Sequence, residues 1–327
     1  MAQQLHRVEP GAGGITRRGA GRGFSYVTET GQRVRSKRQL DSIAALAIPP
    51  AWTGVWIAAD PGAHIQATGI DAAGRTQYIY HPRWRELREN EKFIRSLAYA
   101  QRLPALRRSV TRDLKQDEDS KRRALAAAVR IMDRGGLRVG GAAYAEDNGS
   151  FGATTLQRRH VSVDGTTVQL VFQGKSAGRW NVRLTDSLLA AYLSSVPATP
   201  RKGPALCHST MSGRRRIWQG ISDTEVNSYL EEVAGTGFTA KDFRTWQGSV
   251  VAALSLARSQ RAGTPAPAAV AAAILEASQW LHNTPSIAKD SYINPRVIAL
   301  FEHGKVAVLT RQRDSAVLAL LTGGSGH

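Results

Sequence analysis

Cysteine is nearly absent: the 327-residue chain has one, Cys207. A single thiol cannot close an internal disulfide or supply the sulfurs of a structural zinc site, which points to a reducing compartment. Long apolar runs are missing too. The most hydrophobic stretches, such as Val250 to Ala257, fall well short of the ~18 residues that a membrane span needs, and no apolar leader opens the chain. The expectation is a cytoplasmic protein with no membrane contact. Carboxylates are scarce as well: 26 Asp and Glu stand against 44 Lys and Arg, a formal net charge of +18. An excess of that size favours a polyanionic partner.

With 42% hydrophobic residues the chain can fill real cores, so disorder as its main state is excluded, and its length suits about two domains of roughly 150 residues. The stretch Gly11 to Gly23 reads GAGGITRRGAGRG. So much Gly and Arg offers little apolar surface to offset chain entropy, and residues 1–23 are expected to form a mobile basic arm. Short β-like runs follow (Phe24 to Thr28, Val55 to Ala58, His64 to Thr68, Gln77 to Tyr80), separated by Gly, Pro and Asp-Gly-type turns. They predict a small strand-rich domain over 24–90. Helical spacing then takes over in Trp84 to Leu103 and in Pro104 to Asp133, where Leu106, Val110 and Leu114 share a face, as do Leu125, Val129 and Met132. Around Asp164-Gly165, the runs His160 to Val163 and Thr166 to Phe172 predict one hairpin closed by a type I′ turn. After Thr185 helices resume, interrupted near Pro197 to Pro204, with a helix start at Thr264-Pro-Ala-Pro267. Residues 91–327 are therefore expected to be a mainly helical domain with one small sheet, and the chain an α+β protein.

Familiar nucleotide, metal and thiol signatures fail on spacing. Gly174-Lys175-Ser176 looks like the end of a phosphate-binding loop, but position 169 is Gln where that loop needs glycine. Gly19-x-Gly21-x-Gly23 follows no apolar strand. Asp117-Glu118-Asp119 are consecutive, so their carboxylates diverge on a helix and read as a solvated face. Cys207 and His208 are neighbours in sequence only, and Cys207 reads as structural. No metal or cofactor is expected.

What remains is a set of cations in apolar or glycine-rich settings. Arg138 lies in Asp133-Arg-Gly-Gly-Leu-Arg-Val-Gly-Gly141, Lys175 in the turn Gly174 to Gly178, and Arg244 in Lys241-Asp-Phe-Arg-Thr-Trp246. A buried cation needs an anion, though any one of these alone reads as readily as a salt-bridged structural residue. The segment Leu281 to Pro295 is more tightly specified. Asn283 is placed to close one helix, Thr284 to N-cap the next, and Pro285 to take its first position. Tyr292 then falls about two turns on, near the end of a short helix that Pro295 helps terminate. A phenol beside several cations is a candidate nucleophile.

Ile48-Pro-Pro-Ala-Trp52, His64-Ile-Gln-Ala-Thr-Gly69, Gly74 to Trp84, Gly149-Ser-Phe-Gly-Ala-Thr-Thr155, Lys241 to Trp246, and Asn283-Thr-Pro-Ser through Ser291-Tyr292 occur in that order along nearly the whole chain. In these motifs the sequence resembles the type IB DNA topoisomerases of the bacterial and poxvirus group. The resemblance implies a small β-rich N-terminal domain and a larger helical catalytic domain of the kind shared with tyrosine recombinases. It implies a monomer that clamps double-stranded DNA, associated with the nucleoid, and that relaxes supercoils without ATP or metal. Tyr292 would form a 3′-phosphotyrosyl link, with Arg138, Lys175 and Arg244 as catalytic cations and Lys175 protonating the departing 5′-oxygen. Asn283 stands where the poxvirus pattern has histidine and takes the transition-state donor role, with His282 as a second candidate. Gln77, Tyr78, Tyr80 and Tyr144 match DNA-contacting positions, while Gly141 replaces a DNA-contacting lysine. Two other readings stay open. A tyrosine recombinase would carry a helical N-terminal DNA domain, and a non-catalytic DNA clamp gives no reason for Arg138, Lys175, Arg244 and Tyr292 to occur together.

Overall fold

The computed structural model describes residues 5–21, 23–116, 120–142, 145, 149–175, 178–198 and 200–323. The chain divides into two compact units, Met1–Lys92 and Phe93–His327. The result is an α+β protein, strand-rich first and mainly helical after.

The first unit is a five-stranded antiparallel sheet in the order β2-β1-β3-β4-β5, with strands β1 (Ile15–Ala20), β2 (Gly23–Thr28), β3 (Thr53–Ile57), β4 (Ile65–Ile70) and β5 (Thr76–Tyr80). Helix α1 (Lys37–Ala45), which the sequence did not suggest, covers it with Ile43. Ile15, Val34, Val55, Ile57 and Ala67 complete the buried core.

β1 overturns the expected mobile arm over 1–23 as far as residues 15–20 are concerned. It pairs with β2 from Ile15↔Thr28 to Ala20↔Gly23 and with β3 at Ile15↔Ile57. The physical reason is that Arg17 is not solvated charge but a bonded part of the sheet. Arg17 donates to the carbonyls of Trp52 (2.6 Å) and Pro49 (3.1 Å) and lies 4.1 Å from the Phe24 ring. Gly14, at φ +102°, lets the backbone press on Trp56, whose indole N–H donates to Gly13. A Cβ at Gly14 would sit 2.6 Å from the Ile57 carbonyl oxygen.

In the second unit, α2 (Pro82–Leu114), which begins in the first, runs straight through Pro104. The expected break at that residue is displaced to the segment before Ser120, which N-caps α3 (Lys121–Gly135) through the Arg123 N–H (3.2 Å). Leu103 and Leu106, on either side of Pro104, are buried, so packing holds the helix through the lost hydrogen bond. The acidic run 117–119 lies outside the described residues.

Strands β6 (Val161–Asp164), β7 (Thr167–Gln173) and β8 (Arg179–Thr185) form the anticipated small sheet. Its first turn differs in type: Gly165 has φ +55° and Thr166 does not share the sign, the pattern of a II′ rather than a I′ turn. A second hairpin, β9 (Cys207–Ser212) with β10 (Arg215–Gly220), corrects the expectation of a single sheet. Cys207 is buried, and the Tyr192 hydroxyl clasps its backbone from both sides, donating to its carbonyl (2.8 Å) and accepting from its N–H (3.0 Å).

The remaining helices are α4 (Ser187–Ser195), α5 (Asp223–Ala234), α6 (Ala240–Arg261), α7 (Ala266–Leu281), α8 (Pro285–Tyr292), α9 (Pro295–Glu302) and α10 (Arg313–Thr322). α6 is the central rod, packed against α3, α5, α7, α8, α9 and α10. Buried alanines on α6 (Ala252, Ala253, Ala257) and α7 (Ala269, Ala273, Ala277) allow close approach of helices.

Gly14→Ala is expected to destabilise the protein by about 1–3 kcal/mol in chemical denaturation, as a collision at a positive-φ position. Gly19→Ala, with nothing within 4 Å of its added Cβ, should stay within about 0.5 kcal/mol. Equal, negligible effects at both positions would restore the mobile arm.

Candidate active site

α3 ends at Gly136, whose φ of +69° caps the helix and turns the chain toward Arg138. The segment 138–140 is then pinned by the segment 152–154. Ala153 N–H donates to Arg138 O (2.9 Å), Thr154 N–H to Val139 O (2.8 Å), and Thr154 Oγ1 to Gly140 O (2.9 Å). Gly140 and Gly152 touch so closely that a Cβ on Gly152 would lie 2.6 Å from Gly140 Cα. The Gly-Gly and Gly-Ala-Thr-Thr motifs thus meet as one clasp that fixes the Arg138 backbone.

Arg244 sits near the start of α6 and is 3% exposed. Its guanidinium donates to the carbonyls of Gly136 and of Leu281 (2.8 Å), at the C-terminal ends of α3 and α7. Those ends are the negative poles of two helix dipoles. Burial, then Arg138, push the guanidinium down to about 10, which leaves it charged at neutral pH. Its Nε is buried with no hydrogen-bond partner among the described residues.

α7 closes with His282 in the left-handed region (φ 47°, ψ 54°), donating to Gln279 O (3.1 Å), while Asn283 N–H reaches back to Ser278 O (3.0 Å). This is a Schellman ending with histidine in the position usually given to glycine, at a cost of about 1–2 kcal/mol. The expected helix-closing role of Asn283 therefore belongs to His282. Asn283 instead accepts from Arg138 Nη2 at 2.6 Å, and its Nδ2 is buried and unpartnered among the described residues. Burial, Arg244 and Arg138 all lower the His282 pKa, which keeps its ring neutral.

Thr284 caps α8 through Ile287 N–H (3.3 Å), and Pro285 occupies its first turn. Tyr292 ends that helix. Pro295 does not terminate it but opens α9, behind the Asn294 cap. The Tyr292 ring centroid lies 5.1 Å from Arg244 Cζ. Burial opposes ionisation of the phenol, yet the charge and hydrogen bond of Arg244, with the charges of Arg138 and Lys241, outweigh it and hold the pKa below its ordinary value.

Arg138, Arg244, Asn283 and Tyr292 are thus brought together by direct contacts. Lys175 stands exposed in the turn after β7, closed by Gly174 N–H to Gly178 O at 2.8 Å. Among the described residues no group of three His, Cys, Asp or Glu side chains is arranged to hold a metal.

Residues 81–302 match the family model described as the eukaryotic DNA topoisomerase I catalytic core, and residues 23–71 match that of the bacterial DNA topoisomerase IB N-terminal domain. The chain belongs to the type IB DNA topoisomerases. DNA topoisomerase 1B of Acanthamoeba polyphaga mimivirus is 28% identical over 94% of this chain and 93% of its own length. DNA topoisomerase 1B of vaccinia virus (strain Copenhagen) is 20% identical over 71% of each chain. Carrot (Daucus carota) DNA topoisomerase 1 is 26% identical over 56% of this chain and 20% of its own.

In this type IB chain the N-terminal candidates do not share one face. Tyr78 and Tyr80 alternate with Gln77 and Ile79 along β5, and their rings stack at 6.0 Å. Gln77 lies on the Ile79 side with its amide on Asp71 Oδ2 (2.9 Å). Tyr144 is outside the described residues. Sequence reasoning missed three groups around the tyrosine. Lys241 lowers the phenol's pKa. Gly248 leaves room for Tyr292, whose Cβ would be 2.9 Å from an added Cβ. Ser249 Oγ donates to Tyr292 O (3.1 Å) and accepts from Asn294 N–H (2.9 Å). Lys241 opens the Arg244 motif and Gly248 lies two residues past its end, but no sequence signal shows which of them meet a residue more than 40 positions away.

Because the cations favour phenolate, Tyr292 is expected to titrate below an ordinary tyrosine, read as the difference between wild type and Tyr292→Phe in ultraviolet or tyrosine NMR titration. Arg244→Gln should move that titration upward, since burial then acts with less opposition. A titration indifferent to Arg244 would mean the two groups are not coupled.

Proposed function

We propose that this enzyme relaxes supercoiled DNA by transient cleavage of one strand through a 3′-phosphotyrosyl link at Tyr292, without ATP or metal. The observation that carries this reading is the pair of buried, unsatisfied donors, Arg244 Nε and Asn283 Nδ2, beside a phenol whose pKa is held down by Arg244 and Arg138. Donors left unpartnered in a buried site fit an anionic ligand that completes them. A phosphodiester in transition gathers charge on its equatorial oxygens, and fixed guanidiniums can each give them paired hydrogen bonds.

In the proposed reaction Tyr292 Oη bonds to phosphorus as the bond to the 5′-oxygen breaks. The phenol gives up its proton to solvent, and Lys175 protonates the departing 5′-oxygen. Phosphate bond energy is kept in the tyrosyl ester, so the freed 5′-hydroxyl can reverse the step after rotation with no further energy input. Arg138 and Arg244 stabilise the transition state, and Asn283 adds a neutral donor. The strand-rich N-terminal unit, with Tyr78 and Tyr80, and the catalytic unit together hold the duplex as a monomeric clamp. A recombinase would need a second protomer to synapse two duplexes, whereas Arg138, Arg244, Asn283 and Tyr292 are assembled within one chain.

Relaxation of supercoiled plasmid in EDTA without ATP is the test. Wild type should relax it and leave a detergent-trapped covalent adduct, and Tyr292→Phe should do neither. Arg138→Ala should slow single-turnover cleavage about 10²–10³-fold, and Asn283→Ala about tenfold. Metal-dependent relaxation, or an adduct that survives Tyr292→Phe, would overturn the assignment.

A further inference from the structure

Trp180 on β8 is 2% exposed and lies at the crossing of two parts of the site. Its indole stacks on the His282 ring with centroids 3.8 Å and planes 17° apart. Its cross-strand partner Phe172 is nearly parallel to it, 5.5 Å away, and the row continues through His160 to Phe151. Gly174, just before Lys175, is seated directly against the indole, where any Cβ would collide with the ring. One aromatic side chain therefore supports the turn that carries Lys175 and meets the corner that carries Asn283.

The corner does not require the imidazole for its own shape. It is already fixed by His282 N–H to Gln279 O, Asn283 N–H to Ser278 O, Arg138 to Asn283 and the Thr284 cap. Its left-handed residue would be glycine or asparagine on backbone grounds alone. Histidine adds a flat ring that rests on Trp180. Resting on the catalytic reading above, we propose that His282 is a positioning residue: its stack on Trp180 holds the β7–β8 turn against the Asn283 corner, and so sets the Lys175 ammonium relative to the phosphate donors. His282 itself contributes no hydrogen bond to the phosphate.

A leaving group that needs no proton separates the roles. Single-turnover cleavage is measured on matched duplexes whose scissile 5′-bridging atom is oxygen or sulfur, since a thiolate departs without a general acid. Lys175→Ala should slow the oxygen substrate by about 10²-fold or more and recover on sulfur. His282→Gly, which relieves the backbone while removing the ring, should slow oxygen cleavage about tenfold and also recover on sulfur, a displaced acid rather than a lost one. His282→Phe, which keeps a ring and loses both nitrogens, should regain most of the wild-type rate. The proposal is overturned if His282→Gly matches wild type on oxygen, is slowed equally on both substrates, or is no worse than His282→Phe. If Lys175→Ala fails to recover on sulfur, the general-acid reading falls and takes this one with it. Recovery of Lys175→Ala without recovery of His282→Gly removes the stack proposal alone.

Discussion

The site depends on a charge that is buried without a carboxylate. Arg244 is held by two backbone carbonyls, at Gly136 and Leu281, so one guanidinium ties together the C-terminal ends of α3 and α7 beneath the Tyr292 ring. Taking a cation out of water costs several kcal/mol, and two helix ends aimed at it offset part of that cost. The compensation is incomplete, because Nε has no partner among the described residues. Two other arginines are treated differently: the buried Arg130 pairs with Asp186 at 3.0 Å, and the part-exposed Arg107 bridges Asp133 and Asp314. Those pairs are structural and saturated, whereas Arg244 is anchored yet still short of negative charge.

Anchoring extends outward from Arg244 along α6. Two residues before it, the nearly inaccessible Asp242 accepts from Arg95 Nε (2.9 Å) and Thr239 N–H (2.8 Å). Two residues after it, Trp246 Nε1 donates to Asp314 (2.7 Å), which Gln247 and Arg107 also reach. One turn on, Gly248 and Ser249 receive the backbone of Tyr292 and Asn294. The cation and the phenol are therefore registered to the same helix, and their separation is set by α6 rather than by the flexibility of a loop. That arrangement favours electrostatic preorganisation, in which donors need not reorganise as charge develops.

Much of this follows from local rules and is readable without coordinates. The N-terminal strands fall in the short β-like runs bounded by Gly, Pro and Asp-Gly turns, Thr284-Pro285 starts a helix, and Tyr292 is the last residue of that eight-residue helix, just before the Asn294 cap. Most of the departures come from tertiary terms that composition does not carry. β1 looked like a solvated arm because its arginine was counted as charge, when Arg17 serves as a hub for carbonyls. α2 crosses Pro104 because burial on both sides outweighs one lost hydrogen bond. Asparagine is the better left-handed residue by propensity, yet His282 takes that position while Asn283 turns its amide to Arg138. Gln77 and Tyr78 are adjacent on β5, so strand alternation alone puts them on opposite faces, which the matching of both to DNA-contacting positions overlooked. Arg138, Arg244 and the Asn283–Tyr292 pair come from three separate segments of the chain, and their contacts are set by the fold.

The two treatments of arginine also bear on binding. If the site cations were engaged by carboxylates, a phosphate would first have to break those pairs and leave buried anions behind, at the cost attached to an orphaned buried charge. Among the described residues Arg138 and Arg244 have neutral partners instead, an amide oxygen and two carbonyls. In the proposed reaction a phosphate would add to these cations while their existing hydrogen bonds remain, and would meet at Arg244 Nε and Asn283 Nδ2 donors left unsatisfied among the described residues. The protein bears the desolvation cost of the cations when it folds, which leaves the anion's own interaction available for binding and for the transition state.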